Sequence, residues 1–175
     1  MPDFPIRTAR LVLRPFEPHD LDDLHAYRSQ PEVHRYLYSD AQDREQTREL
    51  IAERMACTEL TDEGQKGHGR VVGDVVLKWL SEVNRQGEIG YGFNPEFQGK
   101  GLATEAAEAL LEFGFDHLNL HRIIAHRDPR NEPSWRLMER LGMRREAHYR
   151  HNELYKGEWC DAFIYALLED ERAEA

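Results

Sequence analysis

The sequence predicts an α/β protein in which a mixed sheet carries helices on both faces. Short runs rich in β-branched and aromatic residues alternate with segments whose apolar residues recur at helical spacing. In the second half of the chain these segments follow one another regularly, as they do when helices pack against a central sheet. The chain has 175 residues, the usual length of one domain, so a single domain is expected over residues 1–175.

The first half of the chain contains the less regular elements. Residues 6–16 are predicted to form a strand, because apolar and polar side chains alternate there as far as Pro15. Asp20 is predicted to cap a short helix that follows it. A longer helix is predicted over residues 42–60, and the polar, Gly-rich stretch 61–70 is predicted to be a loop.

The second half predicts a regular succession of strands and helices. A Val-rich strand is expected over residues 70–80, with Gly73 as a bend or turn. Gly142 has the position of a C-cap that closes a helix. The remaining elements are strands over 87–94, 122–126, 144–155 and 158–168, and helices over 101–117 and 133–141.

Composition and charge restrict the function. The content of 40% hydrophobic and 32% charged residues is typical of a folded, soluble protein. A formal net charge of −10 argues against nucleic acid as the partner, since phosphate binding needs clustered Lys and Arg; it suits a cationic substrate, or only solubility. No apolar run is long enough for a membrane span, and residues 1–4 do not resemble a secretory signal. We therefore expect no membrane partner and a cytoplasmic location.

The histidines do not form a recognisable metal-binding pattern. His117 and His121 are four residues apart, but the helix is predicted to end between them. His148 and His151 flank a strand and have no third ligand in the sequence. We therefore expect no metal site.

The segment 90–105 carries most of the functional information. Pro95 cannot donate a hydrogen bond within a strand ladder, so the strand that enters this segment is predicted to end there. Gly99 and Gly101 allow a sharp turn and the close approach of a ligand. The amides of residues 99–104 would then point outward at a helix N-terminus, where unpaired N–H groups and the helix dipole favour an anion such as pyrophosphate.

The same residues allow three other interpretations of this glycine turn. A dinucleotide-binding fingerprint beginning at Gly90-x-Gly92 fails, because Pro95 stands where its third glycine belongs. A phosphate loop also fails, because six residues separate Gly92 from Gly99 and Gly101 follows Lys100 in place of Ser or Thr. An ordinary strand-to-helix turn that uses glycine for its geometry stays open.

A family resemblance adds to this interpretation and covers nearly the whole chain. The turn resembles the Gln/Arg-x-x-Gly-x-Gly/Ala signature by which GNAT (GCN5-related) N-acetyltransferases hold the pyrophosphate of acetyl-CoA. Further matches resemble the branch of ribosomal-protein N-terminal acetyltransferases, and the resemblance is thinnest over residues 40–70. The matching segments are Gln98-Gly99-Lys100-Gly101-Leu102-Ala103, Thr104-Glu105-Ala106, Asn131-Glu132-Pro133-Ser134, Leu141-Gly142-Met143, Gly157-Glu158-Trp159-x-Asp161 and Arg7-Thr8-x-Arg10-Leu11-x-Leu13-Arg14.

The resemblance implies a GNAT-like α/β fold with a mixed, mostly antiparallel sheet that is splayed at its fourth strand, and helices on both faces. It implies acetyl-CoA as co-substrate and no metal. The turn would hold pyrophosphate, free backbone groups of the splayed strand would pair with pantetheine, and Asn131 would hydrogen-bond the pantetheine arm unless it is only a turn residue or helix N-cap. The cofactor-binding residues so implied are Tyr91, Gly92, Phe93, Gln98, Gly99, Lys100, Gly101, Leu102, Ala103, Thr104, Asn131 and Ser134.

The resemblance also implies which residues handle protons. Many GNAT enzymes have a tyrosine four residues before the helix-closing glycine as the acid for the leaving thiolate, and here that position is Met138. The ribosomal-protein branch implies Ser134 as acid and Glu153 as base. Helix capping for Ser134 and a solvated turn carboxylate for Glu153 stay open, and Glu88 with Tyr91 is an alternative acid/base pair.

The predicted function is transfer of the acetyl group of acetyl-CoA directly to a primary amine, with a protein N-terminal α-amine as the first acceptor class. A small amine such as an antibiotic or polyamine is the alternative acceptor. A non-catalytic acetyl-CoA sensor and a nucleotide-phosphate binder are alternatives of other classes, which release of CoA thiol and binding of ATP would distinguish. No nucleic acid or membrane partner is expected, and a homodimer stays open.

Overall fold

Eight strands and four α-helices make up the part of the chain that the computed structural model describes, which is residues 5–37, 39–56, 62–67 and 70–174. Three short 3-10 turns accompany them. The strands are β1 (Ile6–Arg7), β2 (Val12–Arg14), β3 (Asp62–Gly67), β4 (Arg70–Ser81), β5 (Gln86–Phe93), β6 (Arg122–Arg127), β7 (Arg144–Tyr155) and β8 (Glu158–Leu168). The helices are α1 (Leu21–Arg28), α2 (Arg44–Ala56), α3 (Leu102–Asp116) and α4 (Glu132–Arg140).

Packing divides the chain into two compact units. The first unit consists of Met1–Leu77 and Tyr91–Leu110. Its strands lie in the order β1-β2-β3-β4, and each is antiparallel to its neighbour. Apolar side chains from α1, α2, β4 and the segment before α1 form its core, and Leu24 and Tyr27 share one face of α1 because they are three residues apart. The members of this core are Phe16, Leu24, Tyr27, Ile51 and Val71.

The second unit consists of Lys78–Gly90 and Leu111–Ala175. Its strands lie in the order β5-β6-β8-β7, with β5 and β6 parallel and the other neighbours antiparallel. Fully or almost fully buried apolar side chains on β6, α4 and β8 form its core, and they include Ile123, Ala125, Leu137, Met138, Tyr165 and Leu167. The expected α/β fold with a mixed, mostly antiparallel sheet is therefore confirmed.

Element boundaries in the second half agree with the prediction to within one residue at each end, from β4 to β8. The first half differs more. The predicted strand over 6–16 is divided into β1 and β2 by a turn in which the Thr8 N–H donates to the Leu11 carbonyl at 3.0 Å. Asp20 precedes α1, but its carboxylate accepts the Glu17 N–H at 2.8 Å and does not cap that helix.

The prediction of a loop over residues 61–70 is wrong, because Asp62–Gly67 forms strand β3. This segment has no apolar alternation, and its strand state follows from antiparallel pairing with both β2 and β4. Gly73 makes no turn, because β4 continues through it, but the register of β4 against β3 shifts between Val71 and Gly73, as at a β-bulge, which agrees with the predicted bend. A Cβ at Gly73 would lie 2.6 Å from the Gly92 carbonyl oxygen, so glycine is needed there for a close backbone approach.

Candidate active site

Strand β5 ends at Phe93, and an ordered connection leads from it to helix α3. Asn94 begins a 3-10 turn over Pro95–Phe97, and its side-chain oxygen accepts the Glu96 N–H at 3.0 Å. The Gln98 side chain donates to the Phe93 carbonyl at 3.0 Å and ties the two ends of the connection together. The predicted end of the strand at Pro95 is confirmed.

Gly99 and Gly101 give the following turn its shape. Their φ angles are +73° and +77°, which side chains with a Cβ rarely adopt. The Glu105 N–H donates to the Gly101 carbonyl at 3.1 Å, so the N–H groups that precede it at the start of α3 have no partner within the helix. A Cβ at Gly99 would meet no heavy atom within 4 Å, so the turn is open on that side. A pyrophosphate group fits such a turn.

Thr8 and Arg10 bind the start of α3 and hold the glycine turn in place. The sequence did not predict these contacts. Glu105 accepts the Thr8 hydroxyl at 2.6 Å and the Arg10 side-chain Nε at 2.6 Å. A second arm of the same guanidinium, Nη1, donates to the Lys100 carbonyl at 2.8 Å, and Nη2 would lie 3.4 Å from a Cβ at Gly101. Burial raises the pKa of Glu105, but the hydrogen bonds from Thr8 and Arg10 outweigh it and hold that pKa below its usual value.

The other predicted residues of the turn have distinct surroundings. The Lys100 ammonium folds back and donates to the Glu96 carbonyl at 3.0 Å, above the Phe97 ring at 5.2 Å. Leu102, Ala103 and Thr104 are half-buried in the first turn of α3. The positive charge beside the glycines therefore comes from Arg10 as well as from Lys100.

A buried ion pair lies against Gly92 on strand β5. Asp74 is 4% exposed and accepts the Tyr27 hydroxyl at 2.6 Å and an Arg28 guanidinium N–H at 2.5 Å. Burial, followed by the Asp74 charge, raises the pKa of Tyr27 well above its usual value. A Cβ at Gly92 would lie 3.2 Å from the Asp74 carboxylate, so glycine leaves room for the pair.

In the second unit, β5 and β6 pair over only part of their length. The parallel register covers Gln86–Glu88 and Arg122–Ile124. Beyond it, the Arg127 guanidinium reaches the Ile89 carbonyl at 3.3 Å, where a side chain takes the place of a backbone partner. β6 instead stays paired with β8 along its whole length. The divergence of β5 from β6 agrees with the expected splay.

Asn131 and Ser134 lie at the start of α4. Asn131 has the N-cap position, but its side chain makes no capping hydrogen bond, so the capping interpretation is not supported by its contacts. Ser134 is 6% exposed at the third position of the helix. Asp128 orders the loop before the helix by binding the Arg130 guanidinium at 2.6 Å.

Helix α4 ends as predicted. Gly142 has a φ of +76°, and the Met143 N–H donates to the Met138 carbonyl at 3.0 Å, which is the hydrogen-bond pattern of a Schellman C-cap. The Met138 side chain is fully buried in the core of the second unit. The position of the family's usual tyrosine is thus occupied by an apolar side chain that packs in the core.

Glu153 lies within strand β7, as the predicted strand over 144–155 implies, and opposite Cys160 of β8, so the alternative of a turn carboxylate does not hold. Its Oε1 is 3.7 Å from His126 Nδ1 on β6, and the Asn152 side-chain amide donates to the same oxygen at 3.4 Å. The side chains of His126 and Glu153 are 18% and 36% exposed. Sequence reasoning missed His126, because it reads as an ordinary member of an alternating strand.

The alternative candidates have other surroundings. Glu88 on β5 lies 3.7 Å from the Lys78 ammonium. Tyr91 is half-buried in the first unit. Among the residues that the structure describes, no three His, Cys, Asp or Glu side chains are placed to hold a metal ion. No helix in the described ranges is both long and apolar enough to cross a membrane.

Comparison with known proteins agrees with these features. The family model "Acetyltransferase (GNAT) domain" matches residues 10–144. The uncharacterized N-acetyltransferase YnaD of Bacillus subtilis is 36% identical over 95% of this chain and 98% of its own length. The spermidine N(1)-acetyltransferase of Escherichia coli K12 is 28% identical over 90% of this chain and 85% of its own.

Solved structures of acetyltransferases have the same fold. The GNAT-family acetyltransferase from Bacillus anthracis superposes with a TM-score of 0.89, at 37% identity over 95% of this chain and 99% of its own. A Vibrio cholerae protein proposed to be a ribosomal-protein-serine acetyltransferase superposes with a TM-score of 0.79, at 27% identity over 95% and 98% of the two chains. The chain therefore belongs to the GNAT family and is an acyl-CoA-dependent N-acetyltransferase.

Proposed function

We propose that this enzyme moves the acetyl group of acetyl-CoA directly onto a protein N-terminal α-amine. The observation that carries the first half of this proposal is the glycine turn, whose two residues at positive φ open onto the start of α3. Unpaired helix amides and the dipole favour an anion there, and pyrophosphate is the anion that acetyl-CoA presents. The Arg10 guanidinium adds positive charge beside Gly101.

The remaining cofactor contacts follow the family resemblance. The backbone of Tyr91–Phe93 would pair with pantetheine, and Gly92 suits this because it leaves the buried Asp74 pair undisturbed. Asn131 would hydrogen-bond the pantetheine arm, since its side chain is not used to cap α4. Bound acetyl-CoA supplies an activated thioester, and the chain supplies positioning and proton transfer.

Acceptor chemistry favours an α-amine. The pKa of an α-amino group is about 8, so a useful fraction is neutral near neutral pH. A lysine-type amine has a pKa of about 10.4, and making it neutral costs roughly 4–5 kcal/mol. Glu153 is a partly exposed carboxylate 3.7 Å from His126, and a carboxylate suits the first amine better than the second because less free energy is needed to make that amine neutral.

Ser134 and Glu153 are proposed as the acid and the base. Ser134 is buried at the start of α4 and has a hydroxyl that can donate to the departing sulfur. Met138 cannot do so, because its thioether has no proton to give. Glu153 would accept the amine's proton, directly or through a neighbouring group.

A polyamine is the second candidate acceptor. The net charge of −10 favours a cationic ligand, and one relative is named a spermidine N(1)-acetyltransferase. The two acceptor classes differ in a measurable way. A polyamine enzyme should lose affinity steeply with salt, because several charges are attracted at once.

The test is CoA-thiol release from purified protein with a panel of acceptors: peptides with free N-terminal Ser or Ala, the same peptides with blocked N-termini, and spermidine. We expect release with free-ended peptides and none with blocked ones. Preferential turnover of spermidine would show that the acceptor is a polyamine and not a protein N-terminal α-amine. A melting shift with acetyl-CoA but no thiol release with any amine would indicate a sensor and overturn the enzymatic proposal.

A further inference from the structure

The Arg10 guanidinium, between β1 and β2, has two of its three nitrogen atoms bound to the start of α3. Nε donates to the Glu105 carboxylate at 2.6 Å, and Nη1 donates to the Lys100 carbonyl at 2.8 Å. The Arg10 backbone N–H and the Thr8 hydroxyl donate to the same carboxylate at 2.8 and 2.6 Å. We call these four contacts the lock. They hold the planar guanidinium in one orientation.

The third nitrogen of Arg10, Nη2, faces the glycine turn. It donates to no group in the described part of the chain, and the Arg10 side chain is 51% exposed. A Cβ added at Gly101 would lie 3.4 Å from Nη2 and would meet no other described atom within 4 Å, apart from its own chain neighbours. A guanidinium has five N–H donors, so both N–H groups of Nη2 are left for a ligand at this turn.

Glu105 affects what can bind beside it, because it places a negative charge in the first turn of α3. Its side chain is 15% exposed, and a carboxylate is ionised at neutral pH. An anion at the turn is repelled by this charge unless a cation lies close to both. The Arg10 guanidinium holds Glu105 with Nε and presents Nη2 beside Gly101, so different nitrogens can bind a carboxylate and a phosphate at the same time.

We propose that Arg10 binds the cofactor directly, with Nη2 donating to a pyrophosphate oxygen of acetyl-CoA while the lock holds the rest of the guanidinium. This rests on the proposed function, in which the glycine turn holds pyrophosphate, and adds a contact from outside the Gln98–Ala103 signature. Arg10 suits the contact better than Lys100, whose ammonium turns away to donate to the Glu96 carbonyl at 3.0 Å. A guanidinium already fixed by other contacts loses little freedom when it binds a phosphate.

A purely structural role for Arg10 makes a different prediction about Glu105. If the lock only preserves the shape of the turn, replacing either Arg10 or Glu105 should weaken cofactor binding to a similar degree. If Nη2 binds phosphate, the loss of Arg10 should be much the more costly of the two. Replacing Glu105 by Gln leaves the guanidinium in place and removes a charge that repels the anion. The two variants therefore separate direct binding from support.

The test is titration calorimetry with CoA on wild type, Arg10→Gln, Glu105→Gln and the matched control Arg7→Gln. Arg10→Gln should raise the Kd for CoA about 10-fold, the low end for a hydrogen bond to a charged group. Glu105→Gln should keep the Kd within about threefold of wild type, because the direct donor is still present. Arg7→Gln removes the same charge from an exposed residue of β1 and should bind CoA as wild type does.

A second ligand distinguishes the two kinds of phosphate in CoA. Dephospho-CoA lacks the 3′-phosphate of the ribose and keeps the pyrophosphate. The Kd ratio between Arg10→Gln and wild type should therefore be the same for dephospho-CoA as for CoA. A ratio near one with dephospho-CoA would assign Arg10 to the 3′-phosphate and overturn the pyrophosphate contact.

Further outcomes overturn the proposal. Wild-type affinity for CoA in Arg10→Gln refutes it, and so does an equal loss in Arg10→Gln and Glu105→Gln. If Arg10→Gln does not fold, Arg10→Lys decides, since one ammonium cannot reach Glu105, the Lys100 carbonyl and a phosphate together, and an unchanged Kd there contradicts the contact. Either result together with thiol release from wild type refutes the role of Arg10 alone, whereas no CoA binding by wild type overturns the proposed function as well.

Discussion

The glycine turn of the first unit and the His126–Glu153 pair of the second are built in opposite ways. The turn is backbone, and its shape depends on two glycines at positive φ and on a carboxylate that accepts three hydrogen bonds, from Thr8 and Arg10. The pair consists of two side chains on separate strands, 3.7 Å apart. The turn is fixed by local backbone geometry, whereas the pair depends on the order of the strands that carry its two side chains.

This difference suits two ligands of different kinds. Pyrophosphate is the same in every turnover, so a rigid cradle can hold it without reorganisation. The acceptor must lose a proton during the reaction, and Glu153 of the pair is the proposed base. The contrast predicts that changes in the turn weaken cofactor binding, whereas changes around proton transfer lower the rate.

The largest effect is expected from Gly101→Val. A β-branched residue at a φ of +77° is strained, and its Cβ would lie 3.4 Å from Arg10 Nη2 and narrow the turn. We expect a loss of about 3 kcal/mol in acetyl-CoA binding, or roughly 10²-fold in Kd, measured by titration calorimetry.

Gly157→Val is the matched control for that substitution. Gly157 has a φ of +81° in the β7–β8 hairpin, and a Cβ there meets no heavy atom within 4 Å. The control should lower stability through backbone strain and leave acetyl-CoA affinity as it is. Equal acetyl-CoA affinity for wild type and Gly101→Val would show that the pyrophosphate does not bind at this turn.

Ser134→Ala should slow turnover without weakening the binding of acetyl-CoA. A CoA thiol has a pKa close to the cysteine value of about 8.5 and leaves tolerably as thiolate, so the loss should be near 10²-fold, at the low end for a general acid. Turnover and melting temperature are to be measured on the same sample. A supporting role in helix α4 would instead lower stability by about 1 kcal/mol and keep the rate per folded molecule, which would exclude Ser134 from the mechanism.

Glu105→Gln tests the lock on the turn and should have the smallest effect on activity. Replacing the carboxylate weakens charged hydrogen bonds from Thr8 and Arg10, which should lower the free energy of unfolding by about 1.5–3 kcal/mol. Glu108→Gln, three residues further along the same helix and exposed, is the control and should change little. Denaturant unfolding of both variants measures the difference.

The same variant predicts a pH dependence with a definite sign. The pKa of Glu105 is lowered in the folded state, so its stabilising contribution is complete above the unfolded value of about 4.3 and disappears as pH falls through the lower folded pKa. Wild type should therefore lose more stability than Glu105→Gln between neutral pH and acid. Parallel losses in the two proteins would contradict the role given to the carboxylate.

The sequence could predict the turn because all its determinants are local. Pro95, Gly99 and Gly101 restrict the backbone within a few residues, and neither a distant strand nor a partner is needed to interpret them. The lock could not be predicted in the same way, because Arg10 and Glu105 are 95 residues apart. Only the resemblance of the opening strand pointed to Arg10, and it gave no role.

Other differences have equally physical causes. Strand β3 was missed because its Gly-rich, polar residues show no alternation, and its neighbours in the sheet supply its hydrogen bonds. His126 occupies a normal position in a strand, and its meeting with Glu153 depends on the order β6-β8-β7, which no local pattern encodes. The residues for cofactor binding could therefore be predicted from this sequence better than the residues for proton transfer.

The measurement that tests the central claim most directly is the thermal stability of the wild-type protein with and without acetyl-CoA. A ligand that binds only the folded state at 100 times its Kd stabilises it by about 2.7 kcal/mol. We predict a melting temperature that rises with acetyl-CoA concentration in wild type and in Gly157→Val, and hardly at all in Gly101→Val. No rise in wild type at millimolar acetyl-CoA, or an equal rise in all three proteins, would contradict binding at the glycine turn.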